Sequence, residues 1–146
     1  MKRIFSLLAV CTLFFPRGIL AEVRVPSVFG DNMVLQQNSE PAIWGWADPG
    51  DTLKIVSSWN SSDTVIVTVN SNSRWLTSLK TGAAGGPYTL TLIGSSRVVL
   101  ENVMLGEVWI CSGQSNMEWS VNHGIMDGEK EAVNANHPGI RIFHIP

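Results

Sequence analysis

Residues 112–116 of this 146-residue chain, Ser112-Gly113-Gln114-Ser115-Asn116, combine the residue types that nucleophilic chemistry needs. A serine hydroxyl attacks an acyl carbon when a nearby base takes its proton and fixed donors hold the developing oxyanion. Gly113 allows a sharp bend, and Ser115 stands just before Met117-Glu118-Trp119, which can open a helix. Upstream, Val108-Trp109-Ile110-Cys111 is an apolar run without polar alternation, the pattern of a strand covered on both faces. Strand, turn and helix in that order put Ser115 at the carboxyl edge of a parallel sheet, where open sheets bind ligands. Ser115 is therefore the candidate nucleophile, and its backbone N–H one oxyanion donor. The plainer alternative, a polar turn and nothing more, uses the same residue types.

The turn is not a G-x-S-x-G elbow, because Met117 stands where that pattern has glycine. Gly113-Gln114-Ser115-Asn116 resembles instead the first block of the SGNH hydrolases. With Gly106-Glu107-Val108-Trp109 before it and Met117-Glu118-Trp119 after, it resembles the sialate O-acetylesterase family in particular. Phe29-Gly30-Asp31-Asn32-Met33-Val34-Leu35-Gln36 is also similar to the opening of that family, in which a small β-domain accompanies the hydrolase. The resemblance implies a serine esterase that removes O-acetyl groups from sialic acid or related acetylated sugars, with an acetylated sugar or glycan as partner and no cofactor. It further implies a histidine base and aspartate from a late D-x-x-H segment, and oxyanion donors from a glycine and an asparagine in middle blocks. Three residues before His123, His137 and His144 stand Ser120, Asn134 and Arg141, never aspartate. The general base histidine and its aspartate are thus absent from this chain, which alone is expected to be inactive.

Beside Ser115 the neighbouring side chains read as packing. Cys111 sits in the apolar run as a small buried hydrophobe, and Trp109 and Trp119 suit core or edge positions. The three histidines lack the cysteine neighbours or paired spacing of a metal site, so no metal is expected.

Three segments position this turn. Lys2 and Arg3 precede an apolar stretch at residues 4–15, too short to span a bilayer and suited to a signal peptide cleaved near Ala21. Export is expected, to the periplasm or outside the cell, or to the lysosome or secretion in a eukaryote, with no stable membrane insertion after cleavage. Loss of residues 1–21 leaves 7 Lys and Arg against 12 Asp and Glu. An acidic chain without a basic cluster does not suit nucleic acid.

Residues 22–103 read as short strands between turn signals, with alternation at Val65, Val67 and Val69, at Trp75 and Leu79, at Tyr88, Leu90 and Leu92, and at Val98, Leu100 and Asn102. Asp48-Pro49-Gly50-Asp51 is a strong turn. The spacing predicts an antiparallel β-sandwich, jelly-roll-like or immunoglobulin-like. Trp44, Trp46 and Trp59 could stack on a sugar, but tryptophans in such a domain more often fill its core or edge. Asn60-Ser61-Ser62 matches a glycosylation acceptor.

Residues 104–146 turn to another pattern. Asp127 caps a helical stretch that ends before His137-Pro138-Gly139, and residues 140–145 read as a strand. Together with residues 108–111 these predict the first strand-helix-strand unit of an incomplete α/β SGNH-hydrolase sheet. Two functions follow: a carbohydrate esterase of which these residues are the amino-terminal, truncated portion, or a non-catalytic secreted β-sandwich module that binds glycan or another domain.

Overall fold

The computed structural model describes residues 22–145, so the leader expected at residues 1–21, with Lys2 and Arg3, lies outside the described residues. Among these, β1 (Val34–Gln36), β2 (Ala42–Trp46), β3 (Thr52–Ser57), β4 (Thr64–Thr68), β5 (Arg74–Ser78), β6 (Gly85–Ile93) and β7 (Arg97–Gly106) are the strands. They form a five-stranded mixed sheet in the order β1-β7-β6-β3-β4 and a two-stranded pair, β2-β5. The protein is mostly β.

Alternation along the strands decides which side chains meet. Leu53 and Ile55 of β3 and Leu90 and Leu92 of β6 point inward, and Ile43 and Trp75 of the two-stranded pair join them in one core. Val65 and Val67 pack against this core while Ile66 between them faces solvent. Each such large apolar side chain contributes about 1.5–3 kcal/mol when fully buried.

The expectation of a wholly antiparallel arrangement fails at β1. Val34, Leu35 and Gln36 run parallel to Met104, Leu105 and Gly106 of β7. A parallel neighbour needs a long crossover, and here β2 to β6 supply it. The face assigned to Asn102 is also corrected. Leu100 opposes Leu90 and Val103 opposes Tyr88, so Glu101 and Asn102 together share the space of one residue on β6. Asn102 takes a left-handed conformation, φ 54°, and the extra residue reverses the alternation. Val103 and Leu105 therefore turn inward and Asn102 outward. Opposite, Gly86 and Pro87 fill a second irregularity, where a proline without an N–H costs the ladder nothing. Gly86 has φ 129°, and a Cβ there would lie 2.6 Å from the Met104 Sδ.

After β7 the predicted strand-helix-strand unit is present only as its helix. Residues 108–111 and 140–145 form no strand, while α1 spans Gly128–Asn134. A strand exists only through a partner's hydrogen bonds, and among the described residues none runs beside these two segments. Asp127 stands at the N-cap of α1 as expected, but in a left-handed conformation and without a side-chain capping bond.

Candidate active-site segment

The segment that carries Ser115 leaves the sheet at the end of β7, and polar side chains hold it there. Glu107 Oε2 accepts from Gln36 Nε2 at 3.0 Å, and Glu107 Oε1 accepts from Gln37 Nε2 at 2.7 Å. Gln36 Oε1 in turn accepts from the Val108 N–H at 2.9 Å, and Gln37 Oε1 from the Ala84 N–H at 2.8 Å. The donated bonds, first from Gln36 and then from Gln37, hold the Glu107 carboxyl below the usual glutamate range, against a smaller opposing effect of burial.

Beyond this point Ser115 opens a 3-10 turn, Ser115–Glu118, with Gln114 extended before it. The Met117 N–H donates to the Gln114 carbonyl at 2.9 Å and closes the turn. Gly113 is required by crowding here, because a Cβ would come within 2.7 Å of Met117 Cγ. The Ser115 side chain is exposed on this turn. Among the described residues, no histidine ring or carboxylate makes a hydrogen bond with its hydroxyl.

The histidines lie elsewhere. In a second 3-10 turn, Val121–His123, the Ser120 N–H donates to His123 Nδ1 at 3.2 Å, and Ser120 Oγ lies 3.0 Å from the same nitrogen. Nδ1 is thereby an acceptor, which leaves the neutral ring's proton on Nε2. His137 and His144 are exposed. Ser115 thus exposes its hydroxyl on this turn, and none of these three histidines hydrogen-bonds to it among the described residues.

The packing expected of the neighbouring side chains is corrected. Cys111 is an exposed free thiol, Trp109 is 83% exposed and Ile110 92% exposed, because without a sheet around them nothing covers this run. Trp44 and Trp59 of the β-region do pack. Trp44 meets Phe29 edge-on at 4.6 Å, and Trp59 meets Tyr88 at 5.8 Å while its Nε1 donates to the Lys80 carbonyl. The roles of Gln36, Gln37 and Glu107 were not visible in sequence. A lone polar residue, Glu107, ahead of an apolar run was the one available signal.

No family model matches the chain. It is 32% identical over 133 residues to a mouse sialate O-acetylesterase, matching 84% of this chain and 24% of that protein. The human sialate O-acetylesterase is 33% identical over 136 residues, again with 84% of this chain and 25% of the relative covered. The chain therefore spans about a quarter of the length of the curated relatives it matches. Among solved structures, a carbohydrate acetylesterase from Xanthomonas citri superposes with a TM-score of 0.71 at 29% identity, over 80% of this chain and 26% of that one.

Proposed function

The matched stretch belongs to the sialate O-acetylesterase family, and from that premise we propose that it supplies the nucleophile segment of a carbohydrate esterase. The reaction is removal of O-acetyl groups from sialic acid or related acetylated sugars. Ser115 Oγ bonds to the acetyl carbon as its proton passes to a base, the sugar hydroxyl leaves, and water then releases acetate and frees the serine. The observation that carries this reading is the exposed Ser115 hydroxyl at the start of a short turn, in a segment matched by acetylesterases.

In this reading the two sheets over one core are a β-sandwich, residues 104–146 begin the SGNH hydrolase domain, and the apolar runs at 108–111 and 140–145 become strands once neighbours cover them. Their exposure supports it, with Ile142 92% exposed like Ile110. Export by the residue 1–21 leader belongs to the same proposal.

A full-length protein that carries the remaining blocks should hydrolyse acetyl esters of sugars, and Ser115→Ala should abolish both turnover and fluorophosphonate labelling. Retained activity in that variant would remove Ser115 from the mechanism. The second reading, a non-catalytic glycan-binding module, is favoured by one observation: the described residues bring no base to Ser115. Glycan binding by the full-length protein without ester turnover would select it.

A further inference from the structure

Four hydrogen bonds run from the start of β6 to the first peptide of the nucleophile run. The Ala84 N–H donates to Gln37 Oε1, Gln37 Nε2 to Glu107 Oε1, Gln36 Nε2 to Glu107 Oε2, and the Val108 N–H to Gln36 Oε1. Both ends of each glutamine amide and both carboxylate oxygens are used. The circuit sits where Gln36 pairs with Gly106, the last rung of the β1 and β7 ladder. It also joins the two stretches, residues 29–36 and 106–119, that resemble the same family.

Glu107 is exposed and Gln36 and Gln37 are half-buried at the sheet edge, so their hydrogen bonds compete with water and add little to stability. What they do fix is direction. The peptide after Gly106 could leave the sheet edge at many angles, and a carboxylate held by two amides, one of which also takes the next N–H, favours the one seen here. We propose that Glu107, with Gln36 and Gln37, is a positioning clasp that aims the chain from β7 toward Ser115. It acts through the backbone and touches no reacting atom. The proposal rests on Ser115 being the nucleophile, as read above.

An exchange of partners tests it. In Gln36→Glu two carboxylates face each other without a donor between them. In Glu107→Gln one of the two donated bonds is lost. In the double variant, the amide at position 107 donates to the carboxylate at 36, which still accepts from the Val108 N–H, while the amide oxygen at 107 accepts from Gln37. The hydrogen-bond circuit is therefore restored with its charge moved.

In the full-length enzyme Gln36→Glu should lower kcat about tenfold or more with KM changed less than about threefold, since small misplacements of reacting groups are costly. The double variant should return kcat to within about threefold of the parent. Hydrogen exchange at the Val108 amide should quicken in the single variant and slow again in the double. If Gln36→Glu does not fold, Gln36→Ala is measured singly: kcat should fall and Val108 amide exchange quicken, and adding Glu107→Gln should give no rescue, since alanine offers that amide no acceptor. Unchanged kcat in the single variants, or a Gln36→Glu, Glu107→Gln double variant no better than the worse single, overturns the clasp. Ser115→Ala measured alongside separates the two readings. If it is inactive while the exchange has no effect, the clasp alone fails; if it is active, the nucleophile assignment fails and the clasp with it.

Discussion

Arg141 Nη2 donates to the side-chain oxygen of Asn102 at 3.0 Å, across 39 residues of sequence. Its Nη1 donates to the Asn102 carbonyl and, at 3.4 Å, to the carbonyl of Met33. The bulge on β7 turns Asn102 outward to receive this guanidinium, and Asn102 Nδ2 is itself held by Asn32 Oδ1 at 2.7 Å. A second attachment thus joins the segment after Gly106 to the β-region, on the far side of Ser115 in the chain from the Glu107 clasp. Hydrogen bonds to a charged group contribute about 1.5–3 kcal/mol, and the partly exposed position of Arg141 argues for the low end. Arg141→Ala should therefore raise the rate of proteolytic cleavage after Gly106 about tenfold and leave the β-region's cleavage unchanged. Arg141→Lys, which lacks the fork, should restore less than half of the protection. Equal cleavage rates in all three proteins would refute the attachment.

The depressed carboxyl of Glu107 sets a pH range. Its folded pKa lies below its unfolded value, so its contribution is fully present above the ordinary glutamate range, near 4.3, and is lost as pH falls through the lower folded value. A carbon-detected NMR titration should find the Glu107 carboxyl ionising below the ordinary glutamate range. The Tm of Glu107→Gln should fall less between pH 6 and pH 3 than that of the parent. A Glu107 midpoint at or above the ordinary value would contradict the hydrogen bonds described.

Gly113 and Met117 should behave as a pair. Gly113→Ala sets a Cβ 2.7 Å from Met117 Cγ and must move that side chain or the turn. On the proposed esterase reading, kcat of the full-length protein should drop about tenfold, and adding Met117→Ala should recover most of it. If the double variant is as slow as Gly113→Ala, the crowding is not the cause.

Trp75 anchors the two-stranded pair, 2% exposed, and its Nε1 is buried without a hydrogen-bond partner. Trp75→Ala should cost about 3–5 kcal/mol in a denaturant titration of the β-region. Trp75→Phe should cost much less, because it also removes an unpaired N–H that carries a desolvation penalty of about 1–3 kcal/mol. A loss for Trp75→Phe as large as that for Trp75→Ala would refute this account.

Much of the β-region was legible because alternation is a local signal. Val65 and Val67, Leu90 and Leu92, and Trp75 each face the core as their spacing predicts. Three features were not local. Val34, Leu35 and Gln36 are too few to show a period, and their strand exists only through β7. The Asn102 bulge reverses a face by inserting one residue, and asparagine there looks like any exposed polar position. The run at 108–111 has the composition of a buried strand, but composition cannot supply the neighbours that would make it one. In the candidate segment, Ser115 is singled out by its own turn, whereas Gln36 meets Glu107 across 71 residues and nothing in either residue's surroundings announces the other.

The parallel placement of β1 beside β7 also fixes a time order. A ribosome adding about 5–20 residues per second needs roughly 4–14 s to make the 70 residues between them, and β1 waits unpaired while it does. The β6 and β7 hairpin can form as soon as it emerges, but β1 must close the longest loop of any strand pair in the β-region and so zips last among them. Side chains in β1 are then scarcely engaged in the folding transition state. Weakening Leu35 should speed unfolding and leave the folding rate nearly untouched.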